Sequence, residues 1–409
     1  LEWEAAEHAR LILNAYVARY ALDLYSNFTY ALEDPVSGDG IVQRDDRLYG
    51  GGLLAYEHVL KPGFPATLRG GVEWRVDDAR VRLGRQTRRR DMGAVSDDDV
   101  RVGSVAPYLE MVASPLPWLR LDGGLRYERM YFDVDSRIDA AEGSGDDALW
   151  LPKANVVVSP FADEGPWPSS HPALREFELF LHAGIGFHSN DPRAGLADER
   201  ILSYARGAEV GIRTRLAGRA EVAASVFWLS LEDELVFVGD AGTTESSGPS
   251  RRLGVELAAR MEITDWLEVR GDVAYTSART AAGPIVQAPR LVAKAALVAD
   301  RGPWRAELSA RSLGERYATD ASRALRLSDY TVLDFGVRYR GDPWEIGVRV
   351  ENLTDREWRS SEFYYASCAP HEVGASAACP IAGGGPGIAG RHFTPGNRRH
   401  VVVWLRWTF

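Results

Sequence analysis

The feature that most constrains this chain is an alternation of apolar and polar residues with a period of two, kept up to the last residue. Val401, Val403, Leu405, Trp407 and Phe409 fall on one face of the final stretch, and His400, Val402, Trp404, Arg406 and Thr408 on the other. A strand sends successive side chains to opposite faces, so this pattern calls for β-structure with one greasy side. The same alternation recurs upstream. Leu179, Leu181, Ala183 and Ile185 alternate with Phe180, His182, Gly184 and Gly186; Leu253, Val255 and Leu257 with Gly254, Glu256 and Ala258. Leu333, Phe335 and Val337 alternate with Asp334, Gly336 and Arg338, and Ile346 and Val348 with Gly347 and Arg349.

A soluble sandwich also alternates, with its polar face in water. Segment length separates the two cases. These segments run roughly ten to fifteen residues, against about five or six in soluble sheets and about 9–11 for a tilted strand crossing a bilayer. Connections alternate too. Short turns lie near residues 217–218, 263–265, 301–303 and 341–343, with long polar stretches such as 239–249 and 355–395 between them. Trp118, Trp167, Trp266, Trp304 and Trp344 follow the short connections, as an aromatic girdle at one membrane interface requires. The expected fold is an all-β, transmembrane, antiparallel up-and-down barrel of about seventeen strands. Residues 78–99, rich in arginine and aspartate, read as a hairpin rising above the membrane. No run approaches the roughly 18 apolar residues of a membrane helix, which says nothing against a barrel.

Formal charge is −10, and lysine occurs only at Lys61, Lys153 and Lys294. That balance offers nucleic acid no basic face. Gly385, Gly387 and Gly390 match GxGxxG, but in a glycine-proline loop rather than a strand-to-helix turn. No P-loop, nucleophile elbow or HExxH occurs. His182 and His188 share a strand about 20 Å apart, too far for one metal. Catalytic residues, metal sites and cofactors are therefore not expected, and inward carboxylates and arginines such as Glu256 and Arg349 read as cross-strand pairs. Cys368 and Cys379 are either a disulfide closing a short loop, worth roughly 3 kcal/mol in the loop-closure model, or two free thiols.

Several segments resemble TonB-dependent receptors. Leu24-Tyr25-Ser26-Asn27-Phe28-Thr29-Tyr30 is similar to an upstream strand of such barrels, and Gly184-Ile185-Gly186-Phe187-His188-Ser189-Asn190-Asp191-Pro192-Arg193 to their GxGFHSNDxR segment. Glu234-Leu235-Val236-Phe237-Val238-Gly239-Asp240, with Arg251-Arg252-Leu253-Gly254-Val255-Glu256, resembles another stretch. Val350-Glu351-Asn352-Leu353-Thr354-Asp355 matches the penultimate VxNLxD ending, and His392-Phe393-Thr394-Pro395-Gly396-Asn397 introduces the last strand. The resemblance implies a barrel of about twenty-two strands, of which residues 1–409 supply the C-terminal part. Signal peptide, plug domain and TonB-contacting box are then expected upstream of Leu1. It implies a cell outer membrane location in a Gram-negative-type bacterium, with lipid around the barrel. It also implies that the barrel assembly machinery reads the last strand and that TonB engages only through the plug and box.

The expected function is TonB-dependent uptake of a scarce nutrient such as a ferric siderophore. The alternatives are a passive porin and, further off, a soluble β-rich binding protein. Ligand contacts are expected from His188, Asn190, Asp191, Arg193, Arg251 and Arg252, where arginine would suit an anionic small molecule or metal chelate.

Overall fold

The computed structural model describes residues 2–6, 8–60, 65–138, 142–193, 200–233, 235–238, 243–246, 248–318 and 325–408. Phe409 and Lys61 lie outside them, as do Glu234, Gly239 and Asp240 of the family-like stretch. Among the described residues, one antiparallel sheet of 17 strands dominates, beside three two-stranded hairpins. Its first strands are β1 (Glu2–Ala6), β2 (Ala9–Ser26), β3 (Ile41–Leu60), β4 (Ala66–Thr87), β5 (Arg90–Leu116), β6 (Leu119–Ser136) and β7 (Glu142–Val158). Then come β8 (Glu178–Ser189), β9 (Leu202–Leu216), β10 (Ala220–Leu231), β11 (Ser250–Thr264), β12 (Leu267–Thr280) and β13 (Leu291–Arg301). The last are β14 (Trp304–Leu313), β15 (Tyr330–Arg340), β16 (Trp344–Glu351) and β17 (His400–Trp407). Each strand pairs with its sequence neighbour.

The turns at one rim are short, and the long connections at the other carry small hairpins such as Arg359–Ser367 with Ile388–Pro395. One connection corrects the sequence expectation. Trp167 does not follow a tight turn; it sits in residues 159–177, which include a one-turn helix, Pro172–Arg175, and its ring leans on Phe161. The other girdle positions hold. Trp304 meets Tyr339 edge to face and Tyr339 stacks on Trp344 on adjacent strands, with centroids 4.8 and 5.4 Å apart, and Trp344 pairs across the ladder with Trp407.

Contacts between distant strands show that the sheet curls. Ala31 N–H donates to Cys368 O at 3.0 Å and Cys368 N–H to Thr29 O at 3.1 Å, joining the β2–β3 and β16–β17 connections. These lie towards opposite ends of the strand order. Arg193, just after β8, reaches Asp98 on β5 at 3.1 Å. Neighbouring strands are about 4.8 Å apart, so such a chord can run only across the concave side.

That fixes the inner and outer faces. Leu297, Leu308, Phe335, Val350 and Val401 stand side by side on five successive strands. Their opposite face carries Lys294, Arg311, Asp334 and Arg349. Val401, Val403, Leu405 and Trp407 are all exposed. A monomer cannot keep such a band of β-branched and aromatic side chains in water, whereas lipid solvates it.

Strands β2 to β7 are longer than expected, from 17 residues in β7 to 27 in β5. The surplus overhangs the bilayer, and there the faces exchange chemistry. On β4 the outer row runs Leu68, Val72, Trp74, Val76 and then turns to Asp78, Arg80 and Arg82. Its inner row runs Arg69, Glu73, Arg75, Asp77 and then turns to Ala79, Val81 and Leu83. The neighbours change at the same level, since Asp78 pairs with Arg101 and Arg101 with Asp133. Inside the overhang, Val100, Phe132, Val134, Leu149 and Leu151 bury one another with Ile201 and Leu202. The hairpin expected from residues 78–99 is present, turning at Arg88 and Arg89, whose positive φ angles of 52° and 64° are those of a tight type I′ connection.

Candidate functional site

The inner faces of β2 to β6 enclose one side of a cavity of about 690 Å³, and Phe187, Ser189, Asn190, Asp191, Pro192 and Arg193 complete its lining. Its charges come from alternate positions of polar inner rows. Arg75 grips Asp77 with both arms, at 2.6 and 2.9 Å, and lies 4.8 Å over the Tyr49 ring. Arg126 bridges Glu128, at 2.8 Å, and Glu73. Arg47 joins Asp45 and faces Asp77 at 3.9 Å. Each cation thus has a carboxylate beside it, and the wall is polar without a strong net field. Glu128, 2% exposed, is tolerable there only because Arg126 holds it.

The roof is built locally. Asn190 N–H donates to Ile201 O at 2.8 Å and its Nδ2 to Arg200 O at 3.1 Å. Asp191 takes Arg193 N–H at 3.0 Å and the guanidinium at 2.7 and 3.0 Å. Burial pushes the Asp191 carboxyl upward, but the hydrogen bonds and charge of Arg193 outweigh it and hold the group below the usual carboxylate range. Arg193 is raised in turn, first by its hydrogen bond to Asp191.

The six residues expected to contact ligand do not share a site. Asn190, Asp191 and Arg193 line the cavity. Arg251 and Arg252 border a separate recess with Trp228 and Arg279. His188 lies on β8 and lines neither. Arg349 lies near Asp334 and Glu351, at 3.8 and 3.6 Å. His182 faces Glu209 at 3.7 Å. Sequence reading did not single out Arg47, Arg75 and Arg126. Their signal was the polar row itself, charged mid-strand at every second position. At the outer rim, Cys368 and Cys379 are joined, with Cα atoms 5.7 Å apart.

A family model described as "TonB dependent receptor-like, beta-barrel" matches residues 2–353. The chain belongs to this family. Solved structures agree in fold. The ferric citrate transporter FecA, in its unliganded form, superposes with a TM-score of 0.73 at 12% identity, over 99% of this chain and 59% of that one. The ferric-catecholate import receptor Fiu from E. coli K12 gives 0.71 at 14%, over 99% and 62%. The ferric yersiniabactin uptake receptor FyuA from Yersinia pestis gives 0.69 at 13%, over 98% and 58%. This TonB-dependent receptor-like chain therefore spans about three fifths of the length of those structures.

The family motif VxNLxD has a visible structural basis here. Asn352, at a positive φ of 51° and buried, donates its N–H to Asp334 at 2.8 Å and its Nδ2 to Arg356 O and Asn397 O, while its Oδ1 accepts Arg356 N–H. Asp355 accepts Arg398 Nε and Nη2 and the Arg399 N–H, at 2.8 to 3.0 Å. Together the two residues staple the end of β16 to the start of β17. Gly396 lies flat under Trp358, where any Cβ would sit 2.1 Å from the indole.

Proposed function

We propose that this chain is the barrel of an outer-membrane receptor taking up a scarce, bulky nutrient such as a ferric siderophore by TonB-dependent transport. The observation that carries the reading is the family match over residues 2–353 on a sheet whose outer rows are lipid-compatible and whose inner rows are ion-paired. Residues 1–409 act as one barrel unit in the outer membrane of a Gram-negative-type cell, with the last strand read by the barrel assembly machinery. TonB engages through a plug and box of the kind the family carries. The siderophore class is supported by the printed functions of FecA, Fiu and FyuA, which are similar in fold.

The test is growth of a receptor-deficient Gram-negative strain carrying the protein, on ferric chelates as sole iron source, with and without TonB. TonB-dependent growth on one chelate supports the reading. A large steady conductance of the purified barrel in planar bilayers, with no TonB-dependent growth, supports the porin instead.

A further inference from the structure

We propose that Asp98 and Arg193 form an ion-pair latch that holds Asp191, Pro192 and Arg193 down over the interior cavity and sets access to it from the extracellular rim. The run Asp97-Asp98-Asp99 lies in β5, so its side chains alternate between faces. Asp97 and Asp99 point outward and pair with Arg80 and Arg137, at 2.7 Å each. Asp98 alone turns inward, buried, and takes Arg193 at 3.1 Å. Arg193 belongs to a segment two strands beyond the neighbour of β5, so this contact spans the concave side instead of following the ladder.

Three features make the contact a latch rather than an incidental pair. The held residues are themselves part of the cavity lining, so lifting them opens the space beneath. Asp191 grips the same guanidinium and a main-chain N–H, so Asp191 to Arg193 keep their shape when Asp98 lets go and swing about Asn190, which stays bonded to Ile201 O and Arg200 O. The apolar cluster of Val100, Phe132 and Leu149 lies beside Asp98 and limits water there, which strengthens the attraction and penalises a lone carboxylate. The contact is therefore either made or broken, with little cost-free ground between.

The test uses the full chain in outer-membrane vesicles. Both cysteines are in the disulfide, so Ser104→Cys on the cavity wall introduces the sole free thiol. A membrane-impermeant maleimide should label it slowly. Arg193→Ala and Asp98→Asn should each speed labelling about tenfold or more, a tenfold change corresponding to about 1.4 kcal/mol. Asp98→Asn keeps the side-chain shape, so a latch-free barrel is at hand even where Arg193→Ala assembles poorly. Labelling rates unchanged by either single substitution, in barrels that keep their heat-modifiable migration, overturn the latch. Labelling needs no transport, so that failure would leave the uptake reading standing.

Discussion

At the scale of single residues, the seam before the last strand shows how a few side chains position an edge. Asn352 makes four hydrogen bonds from a buried, positive-φ position. Asn352→Ala is expected to cost at least about 1–3 kcal/mol, the penalty of leaving buried partners unsatisfied, read as a lower heat-modification midpoint. Asp355 adds a pH signature. The hydrogen bonds of Arg398 and then the Arg399 N–H hold its carboxyl far below the usual range. Its folded pKa is depressed, so its contribution is present above the ordinary carboxylate value of about 3.9 and fades as pH falls through the lowered value. Asp355→Asn should weaken the barrel equally at pH 7 and pH 5, and the gap from the parent protein should narrow only in stronger acid. A gap that closes between pH 7 and 5 contradicts the assignment. Of these residues, the sequence offered Asn352 and Asp355 as a recognisable motif and nothing more. Their roles depend on Asn397 and Arg398, more than forty positions away in sequence. Asp98 and Arg193 were illegible as a pair for the same reason, although three successive acids in a strand oblige the middle one to face away from its neighbours.

At the scale of elements, the period-two signal carries farther than the solvent that explains it. Along β4 the alternation never slips, yet the greasy row passes from outside to inside near Asp77 and Asp78. Strand identity was therefore legible from sequence, and so on β4 was the level at which the outer charges begin, whereas that neighbouring strands share this level was not. It depends on three strands changing together, Asp78, Arg101 and Asp133 coming level only once the register is known. The same exchange accounts for the charge of residues 78–99, most of which belongs to an outer face in water. A prediction separates the two zones. Leu308→Arg, in the middle of the outer row, should destabilise the barrel by about 2–4 kcal/mol, the cost of arginine facing lipid near the midplane. Arg101→Leu, on the exposed overhang, should change stability within about 0.5 kcal/mol. Urea unfolding in lipid vesicles measures both. Equal effects would mean that the exchange does not mark a membrane boundary.

At the scale of the whole molecule, the account rests on one assignment: the apolar rows face lipid and the charged rows face a hydrated interior. The curl follows from contacts that join distant strands, Thr29 and Ala31 to Cys368 and Arg193 to Asp98. The cavity, its ion-paired wall and its latch all lie on the side those chords cross. The most direct measurement is a cysteine scan of β14 from Arg305 to Arg311, reading lipid-borne quenching and water-borne labelling at each position. The account predicts that Ala306, Leu308 and Ala310 are quenched from lipid while Glu307, Ser309 and Arg311 are labelled from water, strictly by turns. Lipid quenching at Glu307 and Ser309, with Leu308 shielded from lipid, would contradict it.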